Sequence, residues 1–220
     1  MTASGATGPT LLIVAKAPVP GLAKTRIGRT IGDVAAAKLA AAALLDTLHT
    51  ASLVGWPVVV AVTGDLGAAT EADEIAAALL TTTVIQQRGE GLGERLADAH
   101  LDADRGLGVV QVGMDTPHLA LEDYAAAGQA ITRGERVIGP AEDGGWWLLG
   151  LPCPADAHKL IDVPMSQHDT LAQTESAFGG DLVRLRNIRD MDTWGDAVSI
   201  SHTIPDSRLA QVVRDLEVQV

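Results

Sequence analysis

The sequence contains few of the residues that several protein classes require. It has one cysteine, Cys153, among 220 residues, which excludes an internal disulfide and a cysteine-based zinc cluster. Lysine and arginine number 16 against 28 aspartates and glutamates, so the formal net charge is -12. This balance weighs against nucleic acid, because binding a phosphate backbone needs a broad basic face. We therefore expect a soluble globular protein of the cytoplasm with no nucleic-acid partner.

Long apolar runs are also missing. A membrane helix needs about 20 consecutive apolar residues, and the longest candidate, residues 34–48, is interrupted by Lys38 and Asp46. We therefore expect no membrane association. Residues 1–9 are polar and lack basic residues ahead of an apolar segment, so we expect a flexible leader and not a signal peptide. Residues 10–220 have the length of a single α/β domain.

Strand-like and helix-like segments alternate along the chain, which favours a mainly parallel sheet covered by helices on both faces. The pattern predicts strands at residues 11–15, 57–63, 83–86, 108–113, 136–138, 146–149 and 182–185. It predicts helices at residues 34–48, 71–80, 94–103, 117–131, 170–178 and 208–218. The first helix has one apolar stripe that we expect to face the sheet, formed by Val34, Ala37, Ala41, Leu44 and Leu48.

The loop after the first predicted strand is basic in an otherwise acidic chain. Its four cations are Lys16, Lys24, Arg26 and Arg29, and residues 16–29 contain no acid. Such a cluster predicts an anionic ligand, and we expect a nucleotide phosphate. The loop also contains prolines and a glycine that would fix its path while Lys24 and Arg26 extend toward a pyrophosphate. The residues of this segment that we assign to phosphate binding are Ala15, Lys16, Pro18, Gly21, Lys24 and Arg26.

Two common phosphate-binding motifs do not match. A Walker A loop requires glycines at the positions of Pro18 and Ala23, ahead of Lys24 and Thr25. The turn at residues 89–93 follows a strand and begins a helix, but its G-x-G-x-G spacing differs from the dinucleotide fingerprint G-x-G-x-x-G. A P-loop is therefore excluded, and a dinucleotide site is disfavoured.

Asp115 directly follows a predicted strand, at the edge where open α/β sheets bind ligands. A carboxylate there suits Mg²⁺ or Mn²⁺, because these ions prefer oxygen ligands and bridge to phosphates. The next residues, Thr116 and Pro117, have the pattern of a helix N-cap and first helical residue. Asp192, in the acidic turn at residues 190–196, is a second candidate metal ligand, although acid-rich turns before helices commonly serve as caps.

The segment GPAEDGGWW, residues 139–147, combines two carboxylates with glycines and two tryptophans. An ordinary Asp-Gly hairpin turn would explain it. Glycines also let a ligand approach the backbone, and Asp143 or Glu142 could bind an acceptor or accept its proton. Trp146 and Trp147 must point to opposite faces of a strand, so we expect one in the core and the other against a sugar or a base.

In chain order, the segments AKAPVPGLAKTR, QQRGEGLGERL, VGMDTPHL, IGPAEDGGWWLLGL and RDMDTWGD resemble the DUF2064 family. These are proteins of proposed glycosyltransferase activity in the nucleotide-diphospho-sugar transferase superfamily. The resemblance implies a GT-A, Rossmann-like sandwich of three α/β/α layers, a nucleotide over the first loop, and Mg²⁺ or Mn²⁺ at Asp115. It adds Thr25, Gly91, Gly93 and Arg95 to the phosphate-binding residues. On the acceptor side, the matching residues are Glu142, Asp143, Gly144 and Gly145, beside Trp146.

The leading hypothesis is a metal-dependent glycosyltransferase that moves a sugar from a nucleotide-diphosphate sugar to a small-molecule acceptor. Lys24 and Arg26 would stabilise the departing diphosphate, and Asp143 or Glu142 would bind or deprotonate the acceptor. A nucleotidyltransferase that uses a nucleoside triphosphate and a phosphorylated substrate, and releases pyrophosphate, would need a similar clamp. A non-catalytic nucleotide-binding protein with the same fold is the third alternative.

Overall fold

The computed structural model describes residues 8–218, so residues 1–7 of the predicted leader lie outside the described residues. The strands are β1 (Thr10–Lys16), β2 (Val58–Thr63), β3 (Thr83–Gln86), β4 (Val109–Gly113), β5 (Arg136–Pro140), β6 (Trp146–Leu151) and β7 (Leu182–Arg184). The helices are α1 (Thr25–Ile31), α2 (Asp33–Val54), α3 (Ala72–Leu79), α4 (Leu92–Ala103), α5 (Leu121–Thr132), α6 (Thr170–Ala177), α7 (Trp194–Thr203) and α8 (Arg208–Glu217). Short 3₁₀ helices lie at Leu66–Ala68 and Pro154–Leu160.

The seven strands form one sheet in the order β3-β2-β1-β4-β6-β5-β7. Strand β6 is antiparallel to both of its neighbours, β4 and β5, and the other paired strands are parallel. The central strands are nearly continuous runs of buried apolar residues, as expected where helices cover both faces. The prediction of a mainly parallel mixed sheet is therefore confirmed.

Helices pack on both faces of the sheet and complete three layers. Helices α2, α3 and α5 cover one face, around a core that includes Leu11 and Ile13. Helix α4 covers the other face, where it packs against Leu12 and Val59, and the 3₁₀ helix Pro154–Leu160 packs against α4. Alternate residues of β1 thus contribute to opposite cores, which follows from the alternation of side chains along a strand.

Helix α2 is longer than the sequence pattern predicts. The helix has 22 residues, and an 18-residue window within it has a mean hydropathy of 1.2, so by length and composition it could cross a membrane. In this fold, however, 67% of that window is buried. The helix is therefore a core element here. Most of the predicted stripe is buried, whereas Val34, at its start, is 61% exposed.

Two further predictions of local structure are wrong. Residues 25–31, expected to be loop, form α1. Helix α5 begins at Leu121 and not at Pro117, because the Asp123 carboxylate accepts a hydrogen bond from the Ala120 N–H (2.9 Å) and supplies the cap. Thr116 lies in the turn before the helix, where its buried hydroxyl has no hydrogen-bond partner among residues 8–218.

A separate hydrophobic core joins α1, α2, α7 and α8, and it includes Ile27, Leu39 and Met191. Helix α8 is fixed to α2 by Asp46, whose carboxylate accepts hydrogen bonds from the N–H groups of Arg208 (3.1 Å) and Leu209 (2.9 Å). Because Met191 lies three residues before α7, this core holds residues 190–192 next to the loop that follows β1.

Candidate functional site

A cleft of ≈ 550 Å³ lies at the carboxyl ends of β1, β2 and β4, beside the start of β6. The chain adds β2 and β3 on one side of β1 and β4 on the other, and open α/β sheets bind ligands where the strand order reverses in this way. The volume suits a small-molecule ligand. The charged residues that line the cleft are Lys16, Lys24, Arg95, Asp115, Asp143 and Asp190.

Only some of the predicted site residues line this cleft. Those that line it are Ala15, Lys16, Lys24, Arg95, Asp115, Asp143, Gly145 and Trp146. Those outside its lining are Pro18, Gly21, Thr25, Arg26, Gly91, Gly93, Glu142, Gly144 and Asp192. The cleft therefore brings together members of every predicted group: the basic loop, the segment at the start of α4, the metal candidates and the acceptor turn.

Lys24 is paired with acids from later in the chain. Its ammonium nitrogen lies 3.0 Å from Asp115 Oδ2 and 3.8 Å from Asp192 Oδ1, and it donates a hydrogen bond to the Met191 carbonyl oxygen. Arg26, whose side chain is 72% exposed, contacts Asp192 at 3.0 Å. The interpretation of four cations without an acidic partner is therefore wrong for Lys24 and Arg26, because the fold brings carboxylates to both.

Lys16 and Arg95 line the cleft without an acidic partner among residues 8–218. Lys16 is the last residue of β1, and Arg95 lies in the first turn of α4. The Arg95 Nε atom is buried and has no hydrogen-bond partner in the same part of the chain. A buried donor left unsatisfied costs about 1–3 kcal/mol. A bound anion could satisfy the Arg95 donor, and Lys16 lines the same cleft.

Asp190 is a cleft residue that the sequence did not single out. Burial raises the pKa of Asp190 to about 7, and the carboxylates of Asp143, Asp115 and Asp192 act in the same direction, whereas Lys24 opposes them. One carboxylate oxygen, Oδ1, is buried with no hydrogen-bond partner within residues 8–218. The only sequence signal was the acidic turn at residues 190–196, which does not indicate which of its acids faces the cleft.

The two acids of the hairpin turn between β5 and β6 have different surroundings. Asp143 lines the cleft, and its Oδ1 accepts a hydrogen bond from the Gly145 N–H at 2.8 Å. Glu142 instead binds Arg189 at 2.8 Å outside the cleft lining. Of the tryptophan pair, Trp147 is the core member, only 2% exposed, and Trp146 is the member that is partly exposed in the cleft.

Two glutamines of the cleft gave no signal in the sequence. The Gln87 side-chain nitrogen donates hydrogen bonds to the carbonyl oxygens of Ala15 (3.0 Å) and Ala61 (2.9 Å). Both amide hydrogens are thus engaged, so Gln87 can offer a ligand only its acceptor oxygen Oε1. Gln111, in β4, is hydrogen-bonded to His100 at 3.0 Å. Burial lowers the pKa of His100 to about 4, which keeps this pair neutral.

The carboxylates of the cleft fit a hard divalent cation that is shared with a phosphate ligand. Within the described part of the chain, no three Asp, Glu, His or Cys side chains lie close enough together to hold a metal ion by themselves. Mg²⁺ is usually held by one or two carboxylates together with substrate phosphates. Asp115 and the unpartnered oxygen of Asp190 could provide such ligands.

Comparison with solved structures identifies the fold as that of nucleotide-diphospho-sugar transferase-like proteins. A proposed nucleotide-diphospho-sugar transferase from Desulfovibrio desulfuricans G20 is 25% identical, with a TM-score of 0.82 and 95% of each chain covered. Rv0371c from Mycobacterium tuberculosis H37Rv is 17% identical, with a TM-score of 0.59 over 89% of this chain and 99% of that chain. A structure of Rv0371c with manganese has a TM-score of 0.52 at 16% identity, over 87% and 97% of the two chains. A CMP:2-keto-3-deoxy-manno-octonic acid synthetase complexed with CTP is 11% identical, with a TM-score of 0.54 over 89% of this chain and 98% of that chain.

The family assignment follows from the sequence. The pattern of the DUF2064 family, described as an uncharacterized protein conserved in bacteria, matches residues 44–167. Because this match covers more than half of the chain, the protein belongs to the DUF2064 family, as its motifs indicated. No match was found among curated proteins.

Proposed function

We propose that the protein is a nucleotide-utilising transferase that moves a sugar from a nucleotide-diphosphate sugar to a small-molecule acceptor. The main observation in support of this proposal is the distribution of charged residues in the cleft. Lys16 and Arg95 lie without acidic partners in the described chain, and the carboxylates of Asp115, Asp143 and Asp190 line the same cleft. The likeness to a proposed nucleotide-diphospho-sugar transferase at 25% identity supports the same activity.

In this proposal Lys16 and Arg95 bind the diphosphate of the donor. Arginine contributes a planar set of donors for phosphate oxygens, and lysine contributes a compact charge. Lys24 is held against Asp115, where it limits the repulsion between the donor phosphates and the acids. In the same proposal, the oxygen Oε1 of Gln87 accepts a hydrogen bond from an N–H group of the base, since the amide nitrogen already donates to Ala15 and Ala61.

We assign Asp115 and Asp190 as the protein ligands of a divalent cation. Asp190 replaces Asp192, the ligand suggested by the sequence, because Asp192 lies outside the cleft lining and contacts Arg26. The manganese held by Rv0371c supports the use of such an ion in this fold. When bound, the ion would neutralise charge that develops on the departing diphosphate.

Asp143 is the proposed base for the acceptor. In the transfer, the acceptor hydroxyl oxygen bonds to the anomeric carbon, and the bond from that carbon to the diphosphate oxygen breaks. The nucleoside diphosphate leaves with the electron pair, and the hydroxyl proton passes to the Asp143 carboxylate. The hydrogen bond from the Gly145 N–H orients this carboxylate. Glu142 is the weaker candidate because Arg189 already engages it.

Nucleotide binding is the first test. A panel of nucleoside diphosphates and nucleotide sugars, with and without Mn²⁺, should include one that raises the unfolding temperature by several degrees, since a ligand at about 100 times its Kd stabilises by roughly 2.7 kcal/mol. Lys16→Gln and Arg95→Gln should each weaken its binding about tenfold to a hundredfold, as expected for the loss of a hydrogen bond to a charged group. Arg29→Gln, at an exposed arginine outside the cleft lining, is the matched control.

Product analysis then separates the reaction types. Release of a nucleoside diphosphate supports glycosyl transfer, whereas release of pyrophosphate from a nucleoside triphosphate would replace it with the nucleotidyltransferase alternative. If no nucleotide shifts the unfolding temperature of the wild type, the proposed function fails.

A further inference from the structure

The side of the cleft at β6 differs from the side at β1 in its chemistry. We name it the β6 side; its residues are Asp143, Trp146, Met165, Ser166, Gln167 and Thr170. It offers one carboxylate, an aromatic ring, a thioether and neutral polar groups, and it contains no lysine or arginine. The cations of the cleft come from β1, from the loop after it and from α4.

The β6 side is held in place by its own hydrogen bonds. The Thr170 hydroxyl donates to the Pro164 carbonyl oxygen and accepts from the Gln167 N–H, both at 2.9 Å. The Leu171 N–H donates to the Gly144 carbonyl oxygen at 2.8 Å, which ties this segment to the hairpin turn. A Cβ on Gly144 would lie 1.8 Å from the His168 carbonyl oxygen, so the two backbones touch. This side is therefore a preformed surface.

Trp146 presents an apolar surface to the cleft. Its indole N–H is already engaged, because it donates to the Thr174 hydroxyl at 3.1 Å. The ring can therefore contribute only apolar or stacking contacts to a ligand, and the neighbouring Met165 adds a flexible apolar side chain. The C–H face of a sugar or polyol fits such a surface.

The charges near the β6 side disfavour an anionic acceptor. Asp143 is the charged residue of the β6 side, and the two arginines that follow β7 in the chain are engaged elsewhere. Arg189 binds Glu142 at 2.8 Å, and Arg186 binds Asp123 at 2.7 Å. A phosphate or carboxylate on an acceptor seated on the β6 side would thus meet the Asp143 carboxylate without a lysine or arginine of that side to offset it.

The geometry points to an uncharged polyhydroxylated acceptor, of the sugar or polyol class, and not to a phosphorylated one. This inference rests on the proposed function and names the acceptor of the same site. The acceptor packs its apolar face on Trp146 and Met165, exchanges hydrogen bonds with Ser166 and Gln167, and presents its reacting hydroxyl to Asp143.

The test compares neutral sugars with their phosphates. The probes are glucose, mannose and galactose and the 6-phosphate of each, added to the protein saturated with Mn²⁺ and the nucleoside diphosphate that stabilises it most. Binding is measured by saturation-transfer NMR. At least one neutral sugar should bind at least tenfold more tightly than its phosphate. Equal or tighter binding of the phosphates, or no binding by any neutral sugar, overturns the inference.

A charge insertion adds a second readout. Gln167 is exposed on the β6 side, so Gln167→Lys should fold normally and tighten binding of the sugar phosphates about tenfold. Gln173→Lys makes the same change at an exposed position outside the cleft lining and should leave both classes of probe unchanged. An unchanged phosphate affinity in Gln167→Lys counts against the inference. If nucleotide binding persists while sugar selectivity is absent, only this inference fails; if no nucleotide binds, the proposed function fails first.

Discussion

Lys24 lies where the loop after β1 meets the segment before α7. Its backbone is left-handed, with φ 50° and ψ 43°, a conformation that costs a residue with a Cβ about 1 kcal/mol or more. Its ammonium group lies 3.0 Å from Asp115, and its side chain is only 9% exposed. We interpret the strained backbone as the consequence of this pairing, because the ammonium group offsets carboxylates that would otherwise repel one another.

His100 gives a prediction about pH. It is fully buried, and burial lowers its pKa to about 4, although the hydrogen bond with Gln111 acts in the opposite direction. The histidine pKa in an unfolded chain is about 6.5, so the unfolded state binds more protons between about pH 6.5 and pH 4. The free energy of unfolding should therefore fall by about 3 kcal/mol from this group as the pH is lowered through that range. Urea unfolding at successive pH values measures the loss.

Comparison with two variants isolates this contribution. His100→Gln should have a flatter profile of stability against pH than the wild type, whatever its stability at neutral pH. His202→Gln, at an exposed position in α7, should keep the wild-type profile. Parallel profiles for the wild type and His100→Gln would mean that His100 is not the group responsible.

Individual site residues were only partly predictable from the sequence. Asp115 and Asp143 were predictable because each directly follows a recognisable strand or precedes a glycine turn. The sequence could not predict whether Asp190 or Asp192 lines the cleft. The two residues flank the buried Met191, and only the folded structure shows which carboxylate faces the cleft. The acidic partners of the cationic loop could not be predicted for a related reason. The acids that pair with Lys24 are about 90 and 170 positions away in sequence, and only the fold brings them close.

At the scale of elements, the start of α4 contains two glycines with different structural roles. A Cβ on Gly93 would lie 2.1 Å from the Leu160 carbonyl oxygen, where the 3₁₀ helix Pro154–Leu160 packs against α4. Gly91, the N-cap of α4, has φ −98° and no neighbouring atom within 4 Å of an added Cβ. Close packing therefore accounts for glycine at position 93, and nothing comparable restricts position 91.

The same substitution at both glycines tests this difference. Gly93→Ser should lower the free energy of unfolding by about 1–3 kcal/mol, because α4 and the 3₁₀ helix must separate to admit the side chain. Gly91→Ser should be neutral or slightly stabilising, because serine is a good N-cap. Urea denaturation of the two variants beside the wild type measures both changes. Similar losses at the two positions would contradict the packing explanation.

Strands were more predictable than helix ends. Strand β3 lies at the predicted residues, although it is an edge strand with mostly exposed residues. Strands β1, β2 and β4 begin and end within one residue of prediction, because buried parallel strands require continuous apolar runs. Helix α1 gave no comparable signal. Lys24 provides no side-chain cap, and Gly28 interrupts its short sequence. A Cβ at this position would lie 2.6 Å from Asp33 Oδ1, so the exposed Asp33 side chain would have to move to admit it.

At the scale of the whole molecule, the cleft depends on two hydrophobic cores. The sheet core positions β1, β4 and β6, whose ends carry Lys16, Asp115 and Trp146. The second core joins α1 and α2 to α7 and α8, and it holds Met191 beside the cleft. The sequence predicts the first core from strand periodicity, but the second core arises from contacts between helices far apart in the chain. Its role in the site could therefore not be inferred beforehand.

Met191 connects the second core to the site. It is fully buried, its N–H donates to the Asp115 carbonyl oxygen at 3.1 Å, and its own carbonyl oxygen accepts from Lys24. Leu39, in α2, is equally buried in the same core; neither residue lines the cleft, but only Met191 is bonded through its backbone to Asp115 and Lys24. Met191→Ala and Leu39→Ala should each cost about 2–5 kcal/mol of stability, the usual range for such cavities. Only Met191→Ala should also weaken nucleotide binding, by about tenfold, because it loosens Lys24 and Asp190 together. Urea unfolding and nucleotide titration at a temperature where both variants are folded separate the two effects, and equal nucleotide affinity in the two variants would show that the second core supports the fold without positioning the site.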